Sequence, residues 1–334
     1  MFSPGKVIHC PLKRNNNMKR KRDDPPLSSK NSCAAESPVI SRSLLAGIVA
    51  PMVNASELPF RILCRRFGAT LAYTPMIDSV KFSKDPNYRV DPTCPFTSSV
   101  TNDFPLVPHF SANSPEDFCN AIKQIPPEFH HSIAYIDLNL GCPQRTAYQG
   151  HFGSYLLGEN DRQLVKSIVR AAAADESIPF PISCKIRLLD DIESTVALVN
   201  DLFSAGASLI TIHGRFRATW ERDGKGARDG PAKLDWIKAV SERCRGDNRL
   251  IVSNGNVVDF SDVENNLAST KTDGIMSAEG ILDNPALFFP AMRKIVKRWK
   301  KMGKKSAKSE KKRLKVSKQD EKKKRRTINY RESG

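Results

Sequence analysis

The strongest constraint on what this chain can fold into is a rhythm. From Leu44 onward, short apolar or β-branched runs alternate with longer segments of helical period, at intervals of roughly 25 to 35 residues. The candidate strands are LLAGIVAPM from Leu44, ATLAYTPM from Ala69, PLVPHFS from Pro105, IAYIDLNL from Ile133, PISCKIRL from Pro181, SLITIHG from Ser208, RLIVSNG from Arg249 and DGIMSAEG from Asp273. Between them lie LPFRILCRRFG, PEDFCNAIKQI, DRQLVKSIVRAAAA, IESTVALVNDLFSAG, KLDWIKAVSERC and SDVENNLAS, several entered by a Ser, Asp or Pro start signal and left by Gly. Eight strands alternating with helices over about 245 residues predict a closed α/β TIM barrel, (β/α)8. An open doubly wound sheet would more often show five or six strands and an early GxGxxG, and none follows the first run. The amphipathic segment ALFFPAMRKIVKRWKKMG from Ala286 is expected to close the barrel as its last helix.

Charge divides the chain differently. The net charge of +17 is concentrated at the ends: +16 over residues 293–334 and +6 over residues 1–43, leaving a body of −5. Cationic tails on a slightly acidic body point to an anionic polymer, since they gain from counterion release on phosphate. The alternative is a pair of solvated tails that aid solubility or nuclear import. Residues 1–43, with the basic run Lys19 to Arg22, and the lysine-rich residues 304–334 both read as disordered. Residues 44–303 remain as the catalytic domain. No run approaches the roughly 18 apolar residues of a membrane span, so a soluble, unsecreted protein is expected. Eight scattered cysteines without a CxxC pair read as reduced thiols of a cytoplasmic or nuclear protein. All but Cys142 read as small buried hydrophobes. The sequence does not give the oligomeric state; a monomer is the working expectation, and no metal site is expected.

A barrel of this kind carries its site at the C-terminal ends of its strands, so the informative residues are those where apolar runs turn polar. These are Pro51 and Met52 after strand one, His109 on strand three, and Asn139 and Cys142 at the end of strand four. Lys185 and Arg187 follow on strand five, His213 and Arg215 on strand six, Asn254, Gly255 and Asn256 after strand seven, and Ala278, Glu279 and Gly280 after strand eight. The last two loops are the usual phosphate site of such barrels, and their small residues let backbone N–H groups approach an anion. An Asn-Gly pair is by itself also a common turn. Lys185 and His213 interrupt apolar strands. They would find a partner in the electron-rich N1 and O2 edge of a flavin; otherwise Lys185 forms a salt bridge to a neighbouring strand and His213 is a hydrogen-bonded core histidine. Cys142, between Gly141 and Pro143, can act as a general acid, because a thiol of ordinary pKa is mostly protonated at neutral pH.

As an ordered set these elements resemble the tRNA-dihydrouridine synthase family over about residues 46 to 289. The carriers are APM at Ala50, YTPMI at Tyr73, DLNLGCPQ at Asp137, GHFGSYLL from Gly150, CKIR at Cys184, TIHGR at Thr211, SNGNV at Ser253 and DGIMSAEGILDNPALF at Asp273. The resemblance implies FMN as cofactor, NADPH or NADH as reductant and tRNA as substrate, with Cys142 as the active-site cysteine. It places flavin contacts at Pro51, Met52, Lys185, His213, 254–256 and 278–280, and substrate contacts at Asn139 and Arg187; from their strand ends, His109 is expected to meet the flavin edge and Arg215 the substrate. Within the family, DLNLGCPQ and MSAEGILDNPALF look most like the eukaryotic class acting at positions 16 and 17 of the tRNA D-loop.

Three departures stand out. Where the family has Gln after strand three this chain has His109, preceded by Pro108; where it has Ala after the cysteine loop this chain has Ser154 beside Gly153. The family's C-terminal helical domain is expected to be missing, with the lysine-rich tail in its place. Two rival readings remain: an FMN barrel acting on a free pyrimidine, like a dihydroorotate dehydrogenase, and an RNA-binding barrel that has lost catalysis.

Overall fold

The structure, a computed structural model, describes residues 40–92, 94–96, 103–217 and 230–289. Eight parallel strands close into a barrel in chain order: β1 (Ile48–Val49), β2 (Leu71–Asp78), β3 (Leu106–Ser111), β4 (Ile136–Leu140), β5 (Ile182–Leu188), β6 (Ala207–Phe216), β7 (Leu250–Asn254) and β8 (Gly274–Ser277). The helices are α1 (Leu58–Arg66), α2 (Ser79–Lys84), α3 (Pro86–Val90), α4 (Pro115–Lys123), α5 (Arg145–Gln149), α6 (Arg162–Ala174), α7 (Ile192–Ser204), α8 (Leu234–Cys244), α9 (Phe260–Thr270) and α10 (Glu279–Asp283). The expected tails lie outside the described residues except for 40–43, as does the expected closing helix beyond Phe289.

Side chains alternate across each strand, and the alternation separates core from site. On β5, Ile182, Cys184, Ile186 and Leu188 face outward into the core shared with α6, α7 and α8. Ser183, Lys185 and Arg187 therefore face the barrel axis. Lower down the axis the interior is filled by Ile48, Leu71, Tyr73, Val107, Tyr135, Leu209, Val252 and Met276, all buried. Each such side chain contributes about 1.5–3 kcal/mol. β7 builds apolar floor and polar rim on the same face, with Leu250 and Val252 below Asn254.

The first predicted run behaves differently from the rest. Arg42–Ala46 form a 3-10 turn instead of strand, and β1 keeps two residues. Pro51 cannot donate to a ladder, which limits the strand above, while the 3-10 turn seats Leu45 against the barrel base. A Cβ on Gly274 would sit 2.5 Å from Leu45 Cβ, so glycine is needed for that approach.

Candidate active site

The polar strand ends surround one cavity of about 890 Å³ at the C-terminal mouth of the barrel. It is large enough for a cofactor-sized ligand. All of the residues singled out in the sequence line it: Cys142, Asn139, Arg187 and Arg215; Pro51, Met52 and His109; Lys185 and His213; and both loops, 254–256 and 278–280. Among the described lining residues four are cationic, Arg145, Lys185, Arg187 and Arg215, against the single carboxylate of Glu279. Such a cavity favours an anionic ligand.

The loop that carries Cys142 is held through its backbone. Asn139 Oδ1 accepts from the amides of Gly141 and Cys142, both at 3.0 Å. Arg187 Nε donates to the Gly141 carbonyl at 2.9 Å and its Nη1 to the Phe216 carbonyl at 3.1 Å. The Cys142 carbonyl accepts from the Ser154 amide at 3.0 Å and from Ser154 Oγ at 2.9 Å, and Tyr155 donates to the Pro143 carbonyl. Gly153 has φ +69°, and a Cβ there would lie 2.8 Å from the Cys142 carbonyl oxygen. Asn139 and Arg187, read from the resemblance as substrate contacts, here anchor the loop that aims the thiol.

Electrostatics set the states of three groups. Burial pushes the Cys142 thiol above its usual range, against smaller opposing pulls from the Gln144 amide, Arg187 and Lys185, so it is protonated at neutral pH. Burial and the neighbouring Arg187 lower Lys185 to about 8. Its ammonium makes no hydrogen bond or ion pair among the described residues, so the salt bridge expected as its alternative role is not formed. Burial and then the charges of Lys185, Arg187 and Arg215 press His213 well below the ordinary histidine value, leaving a neutral ring.

Of the two loops expected to hold a phosphate, the one after β7 is held by side chains that engage its carbonyls and leave its amides without partners among the described residues. Asn266 Nδ2 on α9 donates to the carbonyls of Gly255 (3.2 Å) and Asn256 (2.9 Å), drawing them away from the cavity. The Asn256 side chain pairs with both the amide and the carbonyl of Ala232 at 2.8 Å. The Gly255 and Asn256 amides form no hydrogen bond among the described residues. Gly255 has φ +119° and leaves no room for a Cβ beside Ala232, while a Cβ on Gly280 would run into the Val257 carbonyl. The loops can pack this closely only as glycines. These amides and the unpaired Lys185 ammonium fit a phosphorylated flavin.

Several functional positions were not singled out in the sequence. Asp137, fully buried, accepts from His109 Nδ1 at 2.7 Å and from Ser183 Oγ at 2.5 Å. Met76 packs its sulfur 2.9 Å from Asn139 Nδ2. The period of two could have found Asp137, since it stands two residues before Asn139 on the inward face. Ser154 and Tyr155 entered the sequence reading only as part of the GHFGSYLL segment, and Asn266 carried no signal, because the partners that give them a role are backbone groups in other segments.

Comparison with known proteins places the chain in a family. A Mus musculus protein named tRNA-dihydrouridine(16/17) synthase, NAD(P)(+)-like, is 40% identical over 241 residues, covering 72% of this chain and 47% of its own length. The chain thus spans about half the length of that relative. A Homo sapiens protein named tRNA-dihydrouridine(20a/20b) synthase, NAD(P)+-like, is 36% identical over 245 residues, covering 73% of this chain and 71% of its own. Among solved structures, histamine dehydrogenase from Rhizobium sp. 4-9 superposes with a TM-score of 0.50 at 13% identity, covering 72% of this chain and 44% of its own, a likeness of fold. The sequence profile of the family described as Dihydrouridine synthase (Dus) matches residues 48–332. The chain belongs to the dihydrouridine synthase family.

Proposed function

We propose that this chain is a flavin-dependent tRNA-dihydrouridine synthase that uses FMN and NADPH or NADH, acts at D-loop positions 16 and 17, and works in the cytoplasm or nucleus. The observation that carries the reading is a buried thiol on an anchored loop lining one cavity with an ammonium and loop amides that have no partner among the described residues. Gly255, Asn256 and the 278–280 loop would hold the phosphate, and Lys185 with His213 would face the electron-rich edge of the ring. When bound and reduced, the flavin supplies a hydride to C6 of a uracil ring, which is electrophilic through conjugation with the C4 carbonyl.

The protein's own part is the proton. Cys142 gives its S–H proton to C5, which completes the saturated C5–C6 bond and leaves a thiolate. Lys185 and Arg187 then stabilise that thiolate, since both already act to lower the thiol's pKa. A uridine must leave its stack to enter such a mouth, and loop uridines do so at small cost. The narrower choice of positions 16 and 17 draws on the higher identity to the relative named for those positions.

The test is direct. Purified protein should be yellow or take up added FMN, and should oxidise NADPH when given tRNA lacking dihydrouridine but not when given orotate. Protein that refuses flavin overturns the reading; turnover of orotate moves it to the free-pyrimidine class. Sequencing of dihydrouridine positions in the product tRNA decides between 16/17 and 20a/20b.

A further inference from the structure

Beneath the cavity, β3, β4 and β5 bring His109, Asp137 and Ser183 into one row, in register across the sheet. Asp137 is fully buried and His109 nearly so. A carboxylate only accepts hydrogen bonds, and both oxygens of Asp137 do: Oδ2 faces His109 Nδ1 at 2.7 Å and Oδ1 faces Ser183 Oγ at 2.5 Å. The imidazole proton of His109 is therefore committed to Nδ1. The backbone is pinned as well, because the His109 amide donates to Thr74 Oγ1 at 3.0 Å, and Tyr73 packs edge-on against the ring. With Nδ1 engaged, the opposite ring nitrogen, Nε2, has no protein partner among the described residues, and the ring lines the cavity.

We propose that Asp137 and Ser183 lock His109 as the Nδ1–H tautomer, so that Nε2 is a hydrogen-bond acceptor reading an imide N–H on the ring that fills the cavity floor. Asp137 and Ser183 are positioning residues and His109 the reader. The inference rests on the flavin reading above and deepens it. An imide N–H between two carbonyls occurs both in the pyrimidine ring of a flavin and in uracil. The flavin is the chosen source, because β3 lies across the barrel from the phosphate loops after β7 and β8, and His109 sits at the floor instead of the rim. A primary amide at this position could turn either its oxygen or its nitrogen to the ligand; the locked imidazole offers acceptance alone.

The test uses the full chain stripped of flavin. Wild-type protein should bind FMN roughly tenfold or more tightly than N3-methyl-FMN, the effect of one missing hydrogen bond to a buried acceptor. In His109→Ala the ratio should fall towards one. Nitrogen-15 spectra of histidine-labelled wild-type protein should show Nδ1 protonated and Nε2 bare, and Asp137→Asn should redistribute the proton between them. The wild-type ratio and spectrum require no variant to fold. Equal binding of FMN and its N3-methyl form, or a proton found on Nε2, overturns the inference while leaving the flavin reading intact. If FMN discrimination is absent but tRNA carrying N3-methyluridine is discriminated against by wild type and not by His109→Ala, the acceptor reads the substrate, and the cofactor assignment is overturned. Protein that binds neither flavin removes both readings together.

Discussion

The Cys142 thiol and the Lys185 ammonium are displaced in opposite directions by the same burial, one held protonated and the other brought to about 8. Replacing Cys142 by Ala should slow dihydrouridine formation by about 100- to 10,000-fold while leaving reduction of bound flavin by NADPH unchanged, as stopped-flow absorbance can show. Product at the ordinary rate would remove the thiol from its role as acid. Because its pKa is raised, the acid form persists through neutrality and disappears only on the alkaline side. Lys185 gives a prediction with two signs. Its charged form is disfavoured in the fold, so the cost to stability is fully present below about pH 8 and fades as pH rises from there toward the unfolded value. Lys185→Met should therefore stabilise flavin-free protein at pH 7 by about 1–3 kcal/mol, seen as a higher melting temperature, while weakening FMN binding. Flavin affinity of the wild type should likewise decline above about pH 8. The residues at the strand ends were legible because each breaks an apolar run; Asp137 shares the inward face of β4 with Asn139 by the period of two, but its partner on β3 shows only in the fold.

At the scale of elements, the loop after β7 depends on α9. Asn266→Ala leaves two loop carbonyls without their donor, at a cost of about 1–3 kcal/mol, and should also weaken FMN binding by roughly tenfold, since the loop amides lose their direction. Unchanged flavin affinity with a lowered melting temperature would show that the loop does not hold the phosphate. Helix α9 itself starts firmly, with Asp259 and Asp262 forming a capping box. Seven of the eight strands lie where period and composition place them, and the six long helices follow the same spacing. The short helices α2, α3, α5 and α10 were not legible: five or six residues carry too little periodicity to rise above their flanks. The first run departs from expectation because LLAGIVAPM is continuous in hydrophobicity, and only the packing of Leu45 against Gly274 tells turn from strand.

At the scale of the whole molecule, charge and chemistry lie on different segments. The cavity is built within residues 50–282, whereas the +16 of residues 293–334 lies outside the described residues. Removing residues 304–334 should weaken tRNA binding at physiological salt and flatten its dependence on salt, by about 0.9 in slope for each phosphate that the tail no longer neutralises. Filter binding across a salt series measures both, and an unchanged slope would mean that the tail does not meet the RNA. The barrel wall, finally, is uneven. β1 contributes only Ile48 and Val49 to the ladders with its two neighbours, making it the short stave of the cask. Pro51 and Met52 hang from that stave, and the 278–280 loop from the one beside it. A ligand gripped there would act as a hoop across the thinnest join, so that occupancy and closure of the wall become one event.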